Sequence, residues 1–171
     1  MKNFLVSLLL SVSLGSVGSA GASEPSKAKP LPVLDIAQTV IKLPLAKGVS
    51  MNDAVEAMKI RANALNIKLV AEMPLSKQIE AMGEKSRRID IYQFCDALTA
   101  KKMVEYDIHF AAYLPCRIAL VEDAKGQAWL VMMNLDMFIQ DPKLNASLKV
   151  DAIKVRDTLN EIMQAGAQGA W

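Results

Sequence analysis

Between residues 50 and 65 apolar side chains recur every three or four positions: Met51, Val55, Met58, Ala62 and Leu65. That spacing gathers them on one stripe and predicts a helix lying on a core. Ser50, with Asp53 three residues on, has the form of a capping box at its start. Asn66 stands where such a helix would stop. The period then changes to two. Ile67, Leu69 and Ala71 alternate with Lys68, Val70 and Glu72, which predicts a strand over residues 67–73. An earlier strand is expected around Ile41, flanked by Val40 and Lys42, with Pro44 confining it to a sheet edge or a strand end. Pro74 and Gly83 bracket a short helix.

The second half repeats the alternation. Ile89 and Ile91 against Asp90 and Tyr92 predict a third strand ending at Cys95. A helix follows, with Asp96 as its cap and Leu98, Met103 and Val104 on one side. The runs CRIALVED (116–123) and AWLVMMNL (128–135) read as two strands of a hairpin turning near Gly126. Leu148, Ala152, Val155, Leu159 and Ile162 mark a last helix that ends at Gly166. The order β-α-β-(α)-β-α-β-β-α predicts an α+β fold: a single antiparallel or mixed sheet with helices on one face. The other face must then meet something, commonly a second copy.

The first 22 residues stand outside this scheme. Lys2, the apolar run FLVSLLLSVSLGSV and the small residues Ala20 and Ala22 compose a secretory signal, with cleavage expected after Ala22. The expectation is a periplasmic or secreted protein with no stable membrane insertion after cleavage. Residues 23–36, polar and proline-containing, are expected to be a flexible leader, residues 37–166 one domain and residues 167–171 a tail. The net charge of the 171-residue chain is only +2, and Lys2 is the one charge in the segment to be removed. So balanced a surface offers no electrostatic footprint for nucleic acid. The basic cluster Lys85 to Arg88 reads as a solvated turn.

Chemistry concentrates in one window. Tyr92 to Leu120 holds both cysteines, Cys95 and Cys116, and the only histidine, His109. Cys95 lies where a strand passes into a helix, whose N-terminal dipoles favour a thiolate while Asp96 opposes it. If the strands ending at Cys95 and starting at Cys116 are antiparallel neighbours, the two thiols share one end of the sheet. Three roles stay open for them: small buried hydrophobes, a structural disulfide, or a ligand or redox pair. His109, together with thioethers such as Met132 and Met133, would complete a set that copper or a haem iron accepts. Met132 and Met133 are adjacent on a strand and point to opposite faces, so at most one serves a given site. A haem would be noncovalent haem b, because no CxxCH is present. Phosphate-binding loops, glycine fingerprints and nucleophile elbows are absent from the sequence.

The pieces MNDAVEAMKIRANALNIKLVAEMPLSKQIE, IYQFCDALTAKKM and YLPCRIALVED resemble, in order and spacing, the bacterial domain-of-unknown-function family 302. The resemblance covers roughly residues 40–165. Its most specific part is Leu114-Pro115-Cys116, and Cys95 matches the first family cysteine. The chain departs from the pattern at Asp96-Ala97, where the family has Asn-Pro, and His109 matches no family feature. The resemblance implies a TATA-binding-protein-like α+β fold, a homodimer and no established activity. Three functions are therefore expected in order: a module binding a soft metal or noncovalent haem at Cys95 and Cys116, a thiol–disulfide or sulfur-handling protein, and a non-catalytic assembly subunit. A catalytic role is the lesser expectation.

Overall fold

The alternation along the strands becomes a sheet with one apolar inner face. In a computed structural model, which describes residues 35–140 and 144–170, five strands pair in the order β1-β5-β4-β3-β2, every pair antiparallel. They are β1 (Val40–Pro44), β2 (Lys68–Pro74), β3 (Ile89–Cys95), β4 (Cys116–Glu122) and β5 (Ala128–Met133). The fold is α+β with a single antiparallel sheet, as the sequence predicts. Tyr92, Phe94, Ile118, Leu120, Leu130 and Met132 alternate into the core and are all buried.

Two helices cover that face: α1 (Met51–Ala64) and α5 (Ala146–Gln168). The predicted capping box forms, with Asp53 N–H donating to Ser50 Oγ at 3.1 Å and Ser50 N–H to Asp53 Oδ2 at 3.2 Å. Ala54, Val55, Met58 and Ala62 of α1 meet Leu159, Ile162 and Met163 of α5 in one cluster. Asn66 ends α1 with a φ of 58°, the left-handed geometry that asparagine tolerates. The shorter α2 (Leu75–Ala81), α3 (Ala97–Tyr106) and α4 (Asp136–Ile139) sit around the sheet's ends, together with a 3₁₀ segment Ile108–Tyr113.

Two boundaries and one strand register differ from expectation. Asp35 accepts a hydrogen bond from Ala37 N–H and caps a 3₁₀ turn, Ile36–Thr39, so ordered structure begins inside the expected leader. Helix α5 does not stop at Gly166 but runs to Gln168, and Gly169 ends it with a φ of 62°. Gly166 is there because the helices touch: a Cβ on it would lie 2.5 Å from Met58 Cγ and 3.0 Å from Leu130 Cδ1. In β2 the ladder slips by a bulge between Leu69 and Ala71, which plain alternation does not signal. The expected signal segment, and the leader as far as residue 34, lie outside the described residues.

Candidate functional site

Antiparallel pairing decides where the cysteines go. Phe94 of β3 faces Cys116 of β4, so Cys95 lies one residue past Cys116's partner, at the same end of the sheet. Both are free, half-buried thiols lining one cavity of about 90 Å³. The sheet contributes Phe94, Cys95 and Cys116 to its wall. Thr99, Ala100 and Met103 come from α3, Phe110 and Tyr113 from the 3₁₀ segment. Phe138 and Ile139 of α4 and Ala152, Val155 and Leu159 of α5 close most of the remainder, with Ile67, Leu114 and Leu135 from the connecting segments. The lining is almost wholly apolar, and its polar side chains are confined to Cys95, Cys116, Asp96, Thr99 and the Tyr113 hydroxyl.

The local sequence explains the walls. Asp96 caps α3 by accepting hydrogen bonds from Leu98 N–H at 3.1 Å and Thr99 N–H at 3.2 Å, and it holds the Thr99 hydroxyl at 2.9 Å. Burial alone would raise the Asp96 carboxyl, but these bonds hold it below the usual carboxylate range. Lys102 on α3 reaches Asp151 on α5 at 2.8 Å, and Arg156 on α5 binds Asp136 on α4. The three helices that enclose the cavity are thus tied to one another.

The thiols are held protonated. Burial pushes Cys116 up to about 11, the neighbouring Cys95 adds to the shift, and Arg117 opposes it. Burial, with Asp96 second, also raises Cys95. The helix N-terminus beside Cys95 does not prevail. Desolvation outweighs the dipole in a cavity with so few polar neighbours.

The other nominated residues do not join both thiols in this cavity. The His109 side chain is 89% exposed, bonds to Asp107 and lines no part of the cavity. Its backbone belongs to the same turn, with the His109 N–H donating to Asp107 Oδ1 at 2.9 Å. Met132 is packed in the core and Met133 lies on the opposite sheet face, the split that strand geometry requires. Neither lines the thiol cavity, but both border the neighbouring groove, where Cys116 also stands. The thioether that does is Met103, which the helical period marks only as part of an apolar stripe. Among the described residues, no three histidine, cysteine, aspartate or glutamate side chains cluster to hold a metal.

Residues 41–166 match the model of the family described as domain of unknown function DUF302. The chain belongs to this family. A solved DUF302 member is similar in fold: the crystal structure of an uncharacterised conserved DUF302 protein from Bacillus stearothermophilus, with a TM-score of 0.62 and 15% identity. The match covers 74% of this chain and 97% of that one. No curated protein matches this chain. Membership in DUF302 therefore supports the fold and leaves the cavity's occupant to be argued from its chemistry.

Proposed function

We propose that this DUF302 protein is an exported module that binds a soft metal ion, Cu(I), in the thiol-lined cavity. The observation that carries the reading is that Cys95, Cys116 and Met103 line the same small apolar space. Thiolate and thioether sulfurs are the donors Cu(I) selects, and an apolar wall disfavours hydrated, oxygen-seeking cations. Export is supported by the signal composition of residues 1–22.

Size argues against haem b. Pockets for ligands much smaller than a haem run to roughly 300–1,000 Å³, against about 90 Å³ here. His109, the expected axial ligand, faces solvent.

Protonation separates metal binding from thiol catalysis. With Cys116 at about 11, on the order of one thiol in ten thousand is ionised at pH 7. That is a poor standing nucleophile, so a thiol–disulfide role is the weaker reading. A metal can displace the proton: removing it at pH 7 costs about 5 kcal/mol, whereas structural zinc in thiolate-bearing finger peptides binds with about 10–16 kcal/mol. Binding would release protons and tighten as pH rises.

An anaerobic Cu(I) titration of the mature chain against a competing chelator tests this. One equivalent should be retained, with a thiolate-to-copper absorption band in the near ultraviolet. Cys95→Ser and Cys116→Ser should each abolish the band. Met103→Leu should weaken binding roughly ten- to hundredfold, as changes to groups that tune a metal site do, and His109→Ala should leave it unchanged. Copper that washes off the wild-type chain, or retention that depends on His109, would overturn the reading.

A further inference from the structure

The sheet face turned away from α1 and α5 has its own composition. Lys42, Val131, Ala119, Ile91 and Met73 lie directly across successive strands in one row. Trp129, Val121 and Ile89 form the row on one side, Arg117, Gln93 and Ala71 that on the other. Lys68 sits opposite Cys95 in the next position along β2 and β3. The charged members of these rows are Lys42, Lys68 and Arg117, all exposed cations, and no acid stands among them.

The cations are not equivalent. Lys42 stacks over the Trp129 ring at 3.6 Å, close to Asp123, which accepts the Trp129 indole N–H at 2.9 Å. Among the described residues the Arg117 side chain forms no hydrogen bond and no ion pair with a carboxylate, and the group it acts on electrostatically is the Cys116 thiol. Arg117 borders a groove of about 530 Å³ whose floor is Ile91, Ala119 and Val131 and whose wall is Tyr113, Met137 and Phe138. The Tyr113 and Phe138 rings, 4.4 Å apart at their centroids, and Cys116 border both this groove and the thiol cavity.

A concave apolar floor of ligand size with one unpaired guanidinium at its edge has a definite complement. We propose that the groove binds a free, single-chain fatty carboxylate, its tail along Ala119 and Val131 and its headgroup on Arg117. The planar guanidinium fork matches a carboxylate with two parallel hydrogen bonds. A second copy of the chain fits this face less well. A two-fold interface presents the same patch twice, so three more cations would arrive at a face whose rows hold no acid, each desolvated at a cost. This site rests on Arg117 and the groove floor and not on the soft-metal reading. Because Cys116 borders both spaces, fatty-acid binding is measured on the copper-free chain and copper retention separately.

The probe is dodecanoate below its micelle concentration, titrated into the mature chain by calorimetry and tryptophan fluorescence. Saturable one-to-one binding is expected. Arg117→Gln should weaken it about tenfold or more, the effect of losing a charged hydrogen-bonded pair. Dodecanol, with the same tail and no charge, should bind the wild-type chain about as weakly as dodecanoate binds Arg117→Gln. Ala119→Trp should fill the floor and remove binding, while circular dichroism checks that both variants are folded. Four outcomes would overturn the proposal: no saturation by dodecanoate, equal affinity in Arg117→Gln, binding to phosphatidylglycerol vesicles without binding to free dodecanoate, or a dimer that Ala119→Trp dissociates.

Discussion

Cys116 is the side chain on which most depends, because its burial sets the energy of every reaction at the cavity. Its thiol is raised from an ordinary 9.0 to about 11. A raised acid binds its proton more tightly in the folded chain, so its stabilisation is complete below pH 9 and is lost as pH climbs towards 11. A two-unit shift corresponds to about 3 kcal/mol. Urea midpoints between pH 7 and 10.5 should therefore fall more steeply for the wild-type chain than for Cys116→Ala, in which this titration is absent. Cys95 and Tyr92 are raised as well and act in the same direction in both chains. Parallel slopes would show that Cys116 is already hydrated. The same neighbourhood shows why sequence proximity misleads over His109: seven positions from Cys116, it sits on a 3₁₀ turn whose cap, Asp107, holds it in solvent. Met103 is further along the chain, yet α3 carries it into the cavity wall.

Helices α1 and α5 meet where their side chains vanish. Gly166 faces Met58 and Leu130, and its absent Cβ would also lie 3.2 Å from the Ala54 carbonyl oxygen. A methyl group there has to displace a fully buried methionine and leucine, and overpacking of that kind costs about 1–3 kcal/mol. Gly166→Ala should therefore lower the urea midpoint despite alanine's better helix propensity. A gain in stability would mean that the helices stand further apart. This contact also explains what sequence patterning can and cannot show. Period-two alternation marks β1, β2 and β3, apolar runs about a glycine turn mark β4 and β5, and period 3.6 marks α1 and α5, because these elements owe a face to the common core. Helix α3 buries no residue, and Leu98, expected on its packed side, is 75% exposed. A glycine reads alike whether it ends a helix or lets one approach another, so the pattern alone makes Gly166 a stop. The 3₁₀ segment Ile108–Tyr113 and α4 leave no such trace, because four to six residues carry too little period to see. These two elements supply Phe110, Tyr113 and Phe138 to the cavity. The thiol end of the site is thus legible from strand order, while its roof is not.

The whole molecule keeps a hole beside its core, and that is costly. The space of about 90 Å³ is partly open, so its apolar wall stays in contact with water that a larger side chain would exclude. Selection for stability alone would fill it, since Ala100 and Ala152 both border it and either position could carry a larger side chain. That alanines stand there is what a site kept open for an occupant requires. Ala152→Leu tests the trade directly. The new methyl and methylene groups enter the void from α5, so thermal unfolding should rise by roughly 2–5 °C, while Cu(I) retention falls. A lower Tm would mean that the wall leaves no room for the added carbons and that the cavity is closed in solution. A higher Tm with copper binding intact would place the metal elsewhere and leave the thiols as packing groups. Only stabilisation coupled to lost binding ties the empty volume to function, and the coupling can be read on one variant without knowing the physiological source of the metal.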